Sequence, residues 1–488
     1  MRNKTSIQRA GALIAGVTLV LAGASACAKI SAEQQVVRDA AAALGGVQLP
    51  GNARVVVLHG AGRNFNLGQD LRPGLAEQTF TVTAFSRAVD LDAPRVRTTL
   101  TRTPNFSYFM GPQAQTQEQG VDGEVAYNVG ASGTPSRAAL SVAAERRAER
   151  FHQPLVLLQA ALADGASLHP ATVAAGERGV VVDTAAGPVM LVVGADARPV
   201  RIESAGTQAN LGDVRLITTF SNYQDALGLH LPTHLATAVD DFTTADYDVT
   251  YRAGEAEAVA APEAVKAAAV PAAPTVNVAV TEVAPGVWFL AGQSHHSAVV
   301  AFKDHLVLFE APQSEARALA VIAKARQLRP GVPLTHLVMT HHHFDHSAGL
   351  RAAIAEGLTV ITHEGNQAFV AEIAARPFTR QPDALARTPK PLVVETVGDT
   401  RTISDGTRSL VLFHLAGNPH TDTLLMGYLP KERMLIEADA FSPEGGGYHP
   451  YALNLVEHIE RLKLKVDRIV PLHGELPTMR ELLAAARP

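Results

Sequence analysis

Four histidines and one aspartate lie within six consecutive positions of the chain, in the segment HHHFDH. His341 and His343 are two residues apart, so on an extended segment they point to the same side, while His342 points to the other. Asp345 and His346 follow, just before a predicted helix. Imidazole nitrogens and carboxylate oxygens bind borderline cations such as Zn²⁺. An apolar, strand-like run comes directly before the segment. This pattern predicts a metal site at the end of a strand.

The side chains of His341, His343, Asp345 and His346 are too few to complete the coordination of two ions. The sequence therefore predicts further ligands downstream. Three candidates follow or end apolar, strand-like runs, which would bring them to one edge of the sheets. They are His420 in GNPHTDT, Asp439 in IEADAF and His473 in IVPLHGE. Together with the first four groups, they are enough for two metal ions that share a bridging aspartate.

The sequence around these candidates alternates between apolar runs and helical stretches. The runs at 305–312, 334–340 and 358–363 are separated by predicted helices, the first of them at 314–328. Further apolar runs follow at 408–417, 423–430, 433–440 and 467–474. This mixture predicts a layered α/β fold with the helices outside the sheets.

The first half of the chain has a different pattern. A short helix is predicted over 31–46, where two glycines end it. Runs such as 78–91 and 95–103 alternate polar and apolar residues, which is typical of half-buried antiparallel strands. One long helical stretch, broken near a proline, covers 136–165. We therefore expect a curved antiparallel sheet wrapped around a helix, an α+β arrangement rich in β-strands.

The length and composition of the chain indicate two globular domains. At 488 residues the chain is too long for one ordinary core. Residues 253–275 are mostly Ala, Pro, Glu and Val, which pack poorly, so we predict a linker that separates domains at 28–252 and 276–488. The net charge of −5, without a dense basic run, argues against nucleic acid as a partner.

The N-terminus is typical of an export signal. Basic residues precede the uncharged apolar run 10–26, which is short for a membrane span of about 20 apolar residues. Cys27 is the only cysteine, and the segment before it resembles a bacterial lipobox, in which the cysteine is acylated. We therefore predict a lipoprotein-type signal peptide over 1–27, with simple cleavage or an uncleaved anchor as alternatives. The folded part would be periplasmic, or anchored to the membrane through the N-terminal lipid.

Residues 276–488 resemble the metallo-β-lactamase-fold metallohydrolase superfamily, whose signature His-x-His-x-Asp-His corresponds to HHHFDH here. The resemblance implies an αββα sandwich with a two-metal site at one edge. Two zinc ions per chain are implied, with iron or manganese as alternatives. The implied ligands are His341, His343 and His420 for the first ion, and Asp345, His346 and His473 for the second, with Asp439 bridging the two.

Three residues outside this set are assigned other roles. Glu310 takes a place where the superfamily often has Asp, and we expect it to orient the ligand loop. His295 and His296, in GQSHHSAV, are expected in a surface hairpin, with the mouth of the pocket as the alternative.

A second resemblance concerns residues 46–252. Their segment TFSNYQDALGLHLPTHL is similar to a stretch of lipoprotein-carrier half-barrels, which shelter acyl chains. The alternative is an accessory β domain without a ligand of its own.

Taken together, these features favour an exported hydrolase in which a dimetal-activated water attacks an ester, lactone, amide or β-lactam. Asp345 is expected to orient the nucleophile and to move a proton, besides binding metal. The substrate would be a small molecule, and the sequence does not indicate an oligomeric state. The alternative function is an envelope lipid- or lipoprotein-binding protein whose metal domain is structural or vestigial.

Overall fold

The computed structural model describes residues 30–107, 113–130, 132–273, 275–442 and 447–487. The predicted signal peptide, with its lipidation candidate Cys27, lies outside the described residues. Within these ranges, no helix is both long enough and apolar enough to cross a membrane.

In the N-terminal region, residues 30–273, the described residues form one antiparallel sheet of 13 strands. Its strand order is β6-β5-β4-β3-β2-β1-β13-β12-β11-β10-β9-β8-β7. The strands are β1 Val55–Phe65, β2 Thr79–Asp90, β3 Arg95–Pro104, β4 Gln115–Asp122, β5 Val125–Val129, β6 Pro135–Arg137, β7 Leu168–Pro170, β8 Arg178–Thr184, β9 Gly187–Val193, β10 Pro199–Gln208, β11 Gly212–Ala226, β12 Leu229–Val239 and β13 Phe242–Gly254. The helices are α1 Ala32–Ala43, α2 Leu140–Glu149, α3 Pro154–Leu162 and α4 Glu263–Ala267.

Helices and sheet share one apolar core in this region. Val37 of α1 and Leu155 and Leu158 of α3 are buried with inward-facing strand residues such as Val56 and Leu191. The alternation of the strands puts every second side chain on this face, which is why the sequence pattern identified them. The β-rich antiparallel fold predicted for this half is therefore confirmed. The long helical stretch is divided into α2 and α3 by a short 3-10 turn before Pro154.

The Ala/Pro-rich segment that follows is more ordered than its composition predicted. A 3-10 turn at Ala256–Val259 and the helix α4 pack against the sheet. Val259 is fully buried with Val55 and Val57 of β1, and Val265 is buried against Tyr127 of β5. The expectation of poor packing is thus wrong for this part of the segment. The domain boundaries themselves stay a prediction.

The C-terminal region, residues 275–487, contains two sheets. A seven-stranded sheet has the order β14-β15-β16-β17-β18-β19-β20, and a five-stranded sheet has the order β21-β22-β23-β24-β25. The strands are β14 Ala279–Ala284, β15 Val287–Ala291, β16 Ser297–Ala301, β17 Leu306–Phe309, β18 Leu334–Val338, β19 Thr359–His363, β20 Val394–Val397, β21 Thr400–Ser404, β22 Ser409–His414, β23 Leu425–Leu429, β24 Met434–Glu437 and β25 Arg468–Pro471. The helices are α5 Glu315–Leu328, α6 Phe344–Ser347, α7 Leu350–Ala355, α8 Gln367–Ala375, α9 Ala384–Arg387, α10 Ala452–Arg461 and α11 Met479–Ala485.

Three apolar layers hold this region together. Between the sheets, residues such as Phe309 and Leu412 form a shared core. Val321 of α5 packs on the outer face of the seven-stranded sheet, and Leu455 of α10 belongs to the core on the outer face of the five-stranded sheet. Helices therefore cover both outer faces, and the predicted αββα sandwich is confirmed.

The two regions are in direct contact. Leu211 and Val214 of the N-terminal region are buried with Leu350 and Ile354 of α7. The regions are also joined by hydrogen bonds to the carboxylate of Asp213 in the N-terminal region. The backbone N–H of Thr379, in the C-terminal region, donates to it at 2.8 Å. This packing brings loops of the N-terminal sheet close to the strand ends that carry the predicted ligands.

Candidate metal centre

The predicted ligands lie where strands of both sheets end. The strands β17, β18 and β19 are mutually parallel, and so are β24 and β25. β22 also runs in the direction of β24, because each is antiparallel to the β23 strand between them. Parallel strands bring their carboxyl ends to one edge of a sheet, which is where functional residues collect in α/β folds.

Three hydrogen bonds hold the backbone between β18 and the first ligand segment. The N–H of Met339 donates to Ile361, the carbonyl of Thr340 accepts from Leu425, and the N–H of Thr340 donates to Glu310 Oε1 at 2.8 Å. This anchoring buries His341 almost completely. The local bonding therefore links both sheets at the point where the ligand segment begins.

One group of the cluster consists of three imidazoles. His343 Nδ1 lies 3.0 Å from His420 Nε2, which in turn lies 3.3 Å from His341 Nε2. One nitrogen from each of the three rings lies within 4.8 Å of the other two. All three rings are buried, so they form a compact set of three nitrogen donors.

A second group lies beside the first. It consists of His295, Asp345, His346 and His473, whose potential ligand atoms also lie within 4.8 Å of one another. Asp345 Oδ2 is 3.1 Å from His295 Nε2 and 4.0 Å from His346 Nε2. Three of these four residues are the ones predicted for the second ion.

Asp439 joins the two groups. Its Oδ1 lies 3.0 Å from the Nε2 atoms of both His346 and His473. Its Oδ2 lies 2.9 Å from His420 Nε2 and 3.9 Å from His341 Nε2. The backbone of Asp439 has a φ of +57°, a left-handed conformation that is unusual for a residue other than glycine. The structure therefore brings all seven predicted ligands together, with Asp439 between the two groups.

The charge states of the cluster suit metal binding. Burial lowers the pKa of His341 and His343 well below the ordinary value, so both rings are neutral and keep a free lone pair. Burial opposes ionisation of Asp439, but the charges of His346 and His473 outweigh it and hold its pKa well below the usual range. For His346, burial is likewise outweighed, here by Asp439 and Asp345, which raise its pKa well above the ordinary value. Metal binding requires neutral imidazoles and ionised carboxylates, so a bound cation would displace the proton of His346.

Unpartnered atoms provide a second test of fit. Among the described residues, Asp439 Oδ1 and both ring nitrogens of His346 are buried, and none of their contacts has hydrogen-bond geometry, although Oδ1 lies 3.0 Å from His346 Nε2. A buried polar atom without a partner costs free energy, so native structures rarely leave one unsatisfied. Divalent cations accept the lone pairs of such nitrogen and oxygen atoms. The donor set therefore fits the metal that the sequence predicts.

Glu310 lies behind the ligand segment, as expected for an orienting residue. Its side chain is fully buried, and Oε1 accepts the N–H of Thr340 while Oε2 lies 3.6 Å from His346 Nδ1. The backbone of Glu310 has a φ of +62°, at the point where the chain leaves β17. Its contact with the rear nitrogen of His346 leaves the opposite nitrogen facing Asp439.

His295 and His296 lie in a hairpin, between β15 and β16, as expected, but the expectation that this hairpin is at the surface is wrong. His295 is only 8% exposed and forms an isolated antiparallel bridge with His473. Gln313 Nε2 lies 3.2 Å from His295 Nδ1 and can only donate there, so the proton is on Nε2 and points to Asp345 Oδ2. His296 is also buried, and its N–H donates to the carbonyl of Leu472. The pair of adjacent histidines was the available sequence signal for a site residue. No apolar strand ends at this pair, however, and the other ligands were predicted from such strand ends.

Replacing His295 with alanine tests its part in the cluster. We expect the affinity for the second ion to fall about 10- to 100-fold, because Asp345 loses a partner that fixes its orientation. Titration of the metal-free chain with zinc, followed by calorimetry, measures this change. His305→Ala is the control, since His305 stacks on Phe302 in a turn at the far end of β16. Equal titration curves for His295→Ala and wild type would assign His295 to packing alone.

A loop of the N-terminal region also reaches the cluster, which the sequence did not predict. Gln69 Nε2 donates to Asp345 Oδ1 at 2.8 Å, and the carbonyl of Asp70 lies 2.9 Å from His343 Nε2. Asp70 and His343 are 273 positions apart. No periodicity or local motif signals a contact over such a separation.

Comparison with known proteins gives a family match in the C-terminal region. Residues 291–473 match the family model of the metallo-beta-lactamase superfamily. No curated protein matches the chain.

Solved structures that match part of the chain include a metallo-beta-lactamase from Pontibacter korlensis, which is 19% identical with a TM-score of 0.35, over 43% of this chain and 97% of its own. The mono-zinc form of the metallo-beta-lactamase FIM-1 from Pseudomonas aeruginosa is 16% identical with a TM-score of 0.35, over 43% of this chain and 94% of its own. The stereoselective inverting sec-alkylsulfatase Pisa1 from Pseudomonas sp. is 17% identical with a TM-score of 0.33, over 42% of this chain and 40% of its own.

Proposed function

Residues 291–473 match the family model of the metallo-beta-lactamase superfamily, and on that premise we propose that the protein belongs to it and is an exported, zinc-dependent hydrolase of an ester, lactone, amide or β-lactam. Superfamily membership implies a metal-dependent hydrolase. The observation that carries the finer proposal is the convergence of the predicted ligands around Asp439, whose Oδ1 lies 3.0 Å from the Nε2 atoms of His346 and His473 without hydrogen-bond geometry to either. Two neighbouring donor groups with a carboxylate between them support a site for two ions rather than one.

The proposed roles follow the contacts of each side chain. His341, His343 and His420 would hold one ion, and Asp345, His346 and His473 the other, with Asp439 shared. When bound, paired divalent ions lower the pKa of a water and polarise the oxygen of the group under attack. Zinc suits this set of imidazole and carboxylate donors, and iron or manganese are alternatives.

Asp345 is the residue that we propose for proton transfer. Its side chain is 38% exposed, whereas that of Asp439 is 11% exposed, so Asp345 faces the open side of the cluster. Burial opposes its ionisation, but His346 and the hydrogen bond from His295 hold the pKa of Asp345 well below its usual range. Gln69 and His295 bind one oxygen each, which fixes the plane of the carboxylate. Asp345 would therefore stay ionised, orient the attacking water and pass its proton on to the leaving group rather than keep it.

Export limits the class of substrate. The signal-like residues 1–27 favour a location outside the cytoplasm, with Cys27 as a membrane anchor if it is acylated. An exported hydrolase meets small molecules rather than intracellular RNA or thioesters. We therefore propose a small-molecule substrate that carries an ester, lactone, amide or β-lactam bond.

Metal removal and reloading of the full chain test this function. We expect hydrolysis of at least one of three probes, nitrocefin, a γ-lactone and p-nitrophenyl acetate. Because an activated water requires the ions, activity should fall to the uncatalysed rate after chelation and return when zinc is added. Rates are followed by absorbance, or by pH-stat for the lactone, and metal content by plasma mass spectrometry. A rate that does not change with metal content would contradict the proposal.

The alternative lipid-binding function is less well supported. Besides an open depression of about 700 Å³ whose lining includes Asp92, Arg150 and Asp183, a cavity of about 270 Å³ lies between the N-terminal sheet and its helices, below the roughly 300–1,000 Å³ of typical ligand pockets. Its lining includes apolar Phe85 and Leu100, but also Arg87, Glu149 and His152. A buried compartment for acyl chains would be larger and more uniformly apolar.

A further inference from the structure

The strands β1 and β2 are joined by residues 66–78, here named the 66–78 loop. This loop leaves the N-terminal sheet and contacts the ligand segments of the C-terminal region. Four consecutive residues, Gly68 to Leu71, make these contacts. The loop is held in its own shape by Glu77, which accepts the N–H groups of Gly68 and Gln69 at 3.1 and 3.3 Å.

The carbonyl of Asp70 decides which nitrogen of His343 is free to bind metal. It lies 2.9 Å from His343 Nε2, and a carbonyl can only accept, so Nε2 carries the proton. The lone pair of the neutral ring is therefore on Nδ1, which faces His420 Nε2 at 3.0 Å. Metal-binding histidines depend on such a partner for their tautomer and orientation.

The loop joins both ligand segments of the first group. The carboxylate of Asp70 lies 2.8 Å from His342 Nε2, beside His343. The carbonyl of Leu71 accepts from the N–H of Asp422 at 2.7 Å and from Thr421 Oγ1 at 2.9 Å, directly after His420. Two adjacent loop residues thus fix segments that lie about 80 positions apart in the chain, as the His343–His420 separation of 77 shows.

Gln69 acts on the second group. Its Nε2 donates to Asp345 Oδ1 at 2.8 Å, while His295 contacts Oδ2. An amide from the loop therefore sets the rotation of the carboxylate that faces the open side of the cluster.

Gly68 makes the close approach of the loop feasible. Its carbonyl accepts the N–H of Phe344, at 3.2 Å. A Cβ at this position would lie 2.3 Å from the Phe344 ring, and the φ of +74° also favours glycine. Phe344 lies between His343 and Asp345, so a side chain at Gly68 would push directly on the ligand segment.

From these contacts we propose that residues 68–71 of the 66–78 loop are part of the metal centre, where they position His343 and Asp345 for binding. The N-terminal region is then required for metal binding and is more than an accessory domain. This inference rests on the proposed metal site, but it does not depend on turnover or on the identity of the substrate.

The test compares two glycines of the loop in the full chain. Gly74 also has a positive φ, of +86°, but a Cβ there would meet no atom within 4 Å. Gly68→Ala and Gly74→Ala therefore share the backbone strain and differ in the contact with the metal centre. Gln69→Ala provides a milder variant, which removes one hydrogen bond to Asp345 and keeps the backbone intact. Zinc affinity and the visible absorption spectrum of the cobalt-substituted chain are measured for all four proteins.

We expect Gly68→Ala to lose about 10- to 100-fold in zinc affinity and to change the cobalt spectrum, with Gly74→Ala equal to wild type. Gln69→Ala should alter the part of the spectrum that arises from the second ion. If Gly68→Ala does not fold, the Gln69→Ala result decides, since that change leaves no clash. A folded Gly68→Ala and a Gln69→Ala that both match wild type in affinity and spectrum would overturn the inference while the metal site stands. A wild-type chain that binds no divalent ion would overturn both.

Discussion

The variant His343→Ala should lose at least about 1,000-fold in kcat/KM, which corresponds to roughly 4 kcal/mol of transition-state stabilisation. The ring supplies Nδ1 to a group of only three imidazoles, so its loss leaves two nitrogens for one ion. Alanine also leaves the carbonyl of Asp70 without its donor, in a place where both groups are buried. We therefore expect the loss of the first ion together with the loss of activity. Steady-state kinetics and metal analysis of the purified variant measure the two effects.

His336→Ala is the matched control for this experiment. His336 lies in β18, the strand that leads to the ligand segment, and its ring contacts Thr335 Oγ1 rather than the cluster. The control removes an imidazole from the same strand and should keep both ions and full activity. If His343→Ala hydrolyses the probe as fast as His336→Ala, the catalytic assignment of the cluster is wrong.

The ligand cluster was predictable because its chemistry is encoded locally. His341, Asp345 and His346 lie in one short motif, and the more distant Asp439 and His473 each follow a strand by two residues. An apolar run that ends in a metal-binding side chain identifies both the strand and the edge at which it ends. The sandwich followed from the same signals, since buried strands and amphipathic helices leave clear patterns.

The residues that surround the cluster were not predictable in this way. His295 lies between two strands of a hairpin, and only the bridge to His473 brings it to the centre. Gln69 and Asp70 act across more than 270 positions. Such contacts depend on how two regions pack, and residue spacing contains no information about that packing. The Ala/Pro-rich segment was misread for a related reason, because Val259 and Val265 find apolar partners only in the folded sheet.

The division into a metal domain and an accessory domain therefore fits the sequence patterns, but it does not fit the site, which contains residues of both regions. A motif search finds the atoms that we propose as metal ligands. The atoms that orient those ligands come from Glu310 on one side and from the 66–78 loop on the other. In metal sites such orienting partners commonly change affinity by about 10- to 100-fold, so their origin in a second region has functional weight.

Asp439→Ala should remove both ions, the largest loss of metal among single changes in the cluster. Each oxygen of Asp439 faces a different group, since Oδ1 contacts His346 and His473 while Oδ2 contacts His420. Without the carboxylate, no negative charge lies between the two groups of imidazoles, and each ion loses a ligand. Metal analysis after gel filtration should give well under one ion per chain, with hydrolysis at the uncatalysed rate.

Two further variants separate charge and shape from general destabilisation. Asp439→Asn keeps the size of the side chain but removes its charge, and it should bind one ion at most, because an amide oxygen is a weaker ligand that does not neutralise the cations. Asp467→Ala removes a carboxylate from an exposed ion pair with Arg433, at the start of β25, and should leave metal content and activity unchanged. The melting temperature of each metal-free protein shows whether the fold is intact. An Asp439→Asn protein that retains two ions would rule out a bridging carboxylate, and the two groups would then be independent sites.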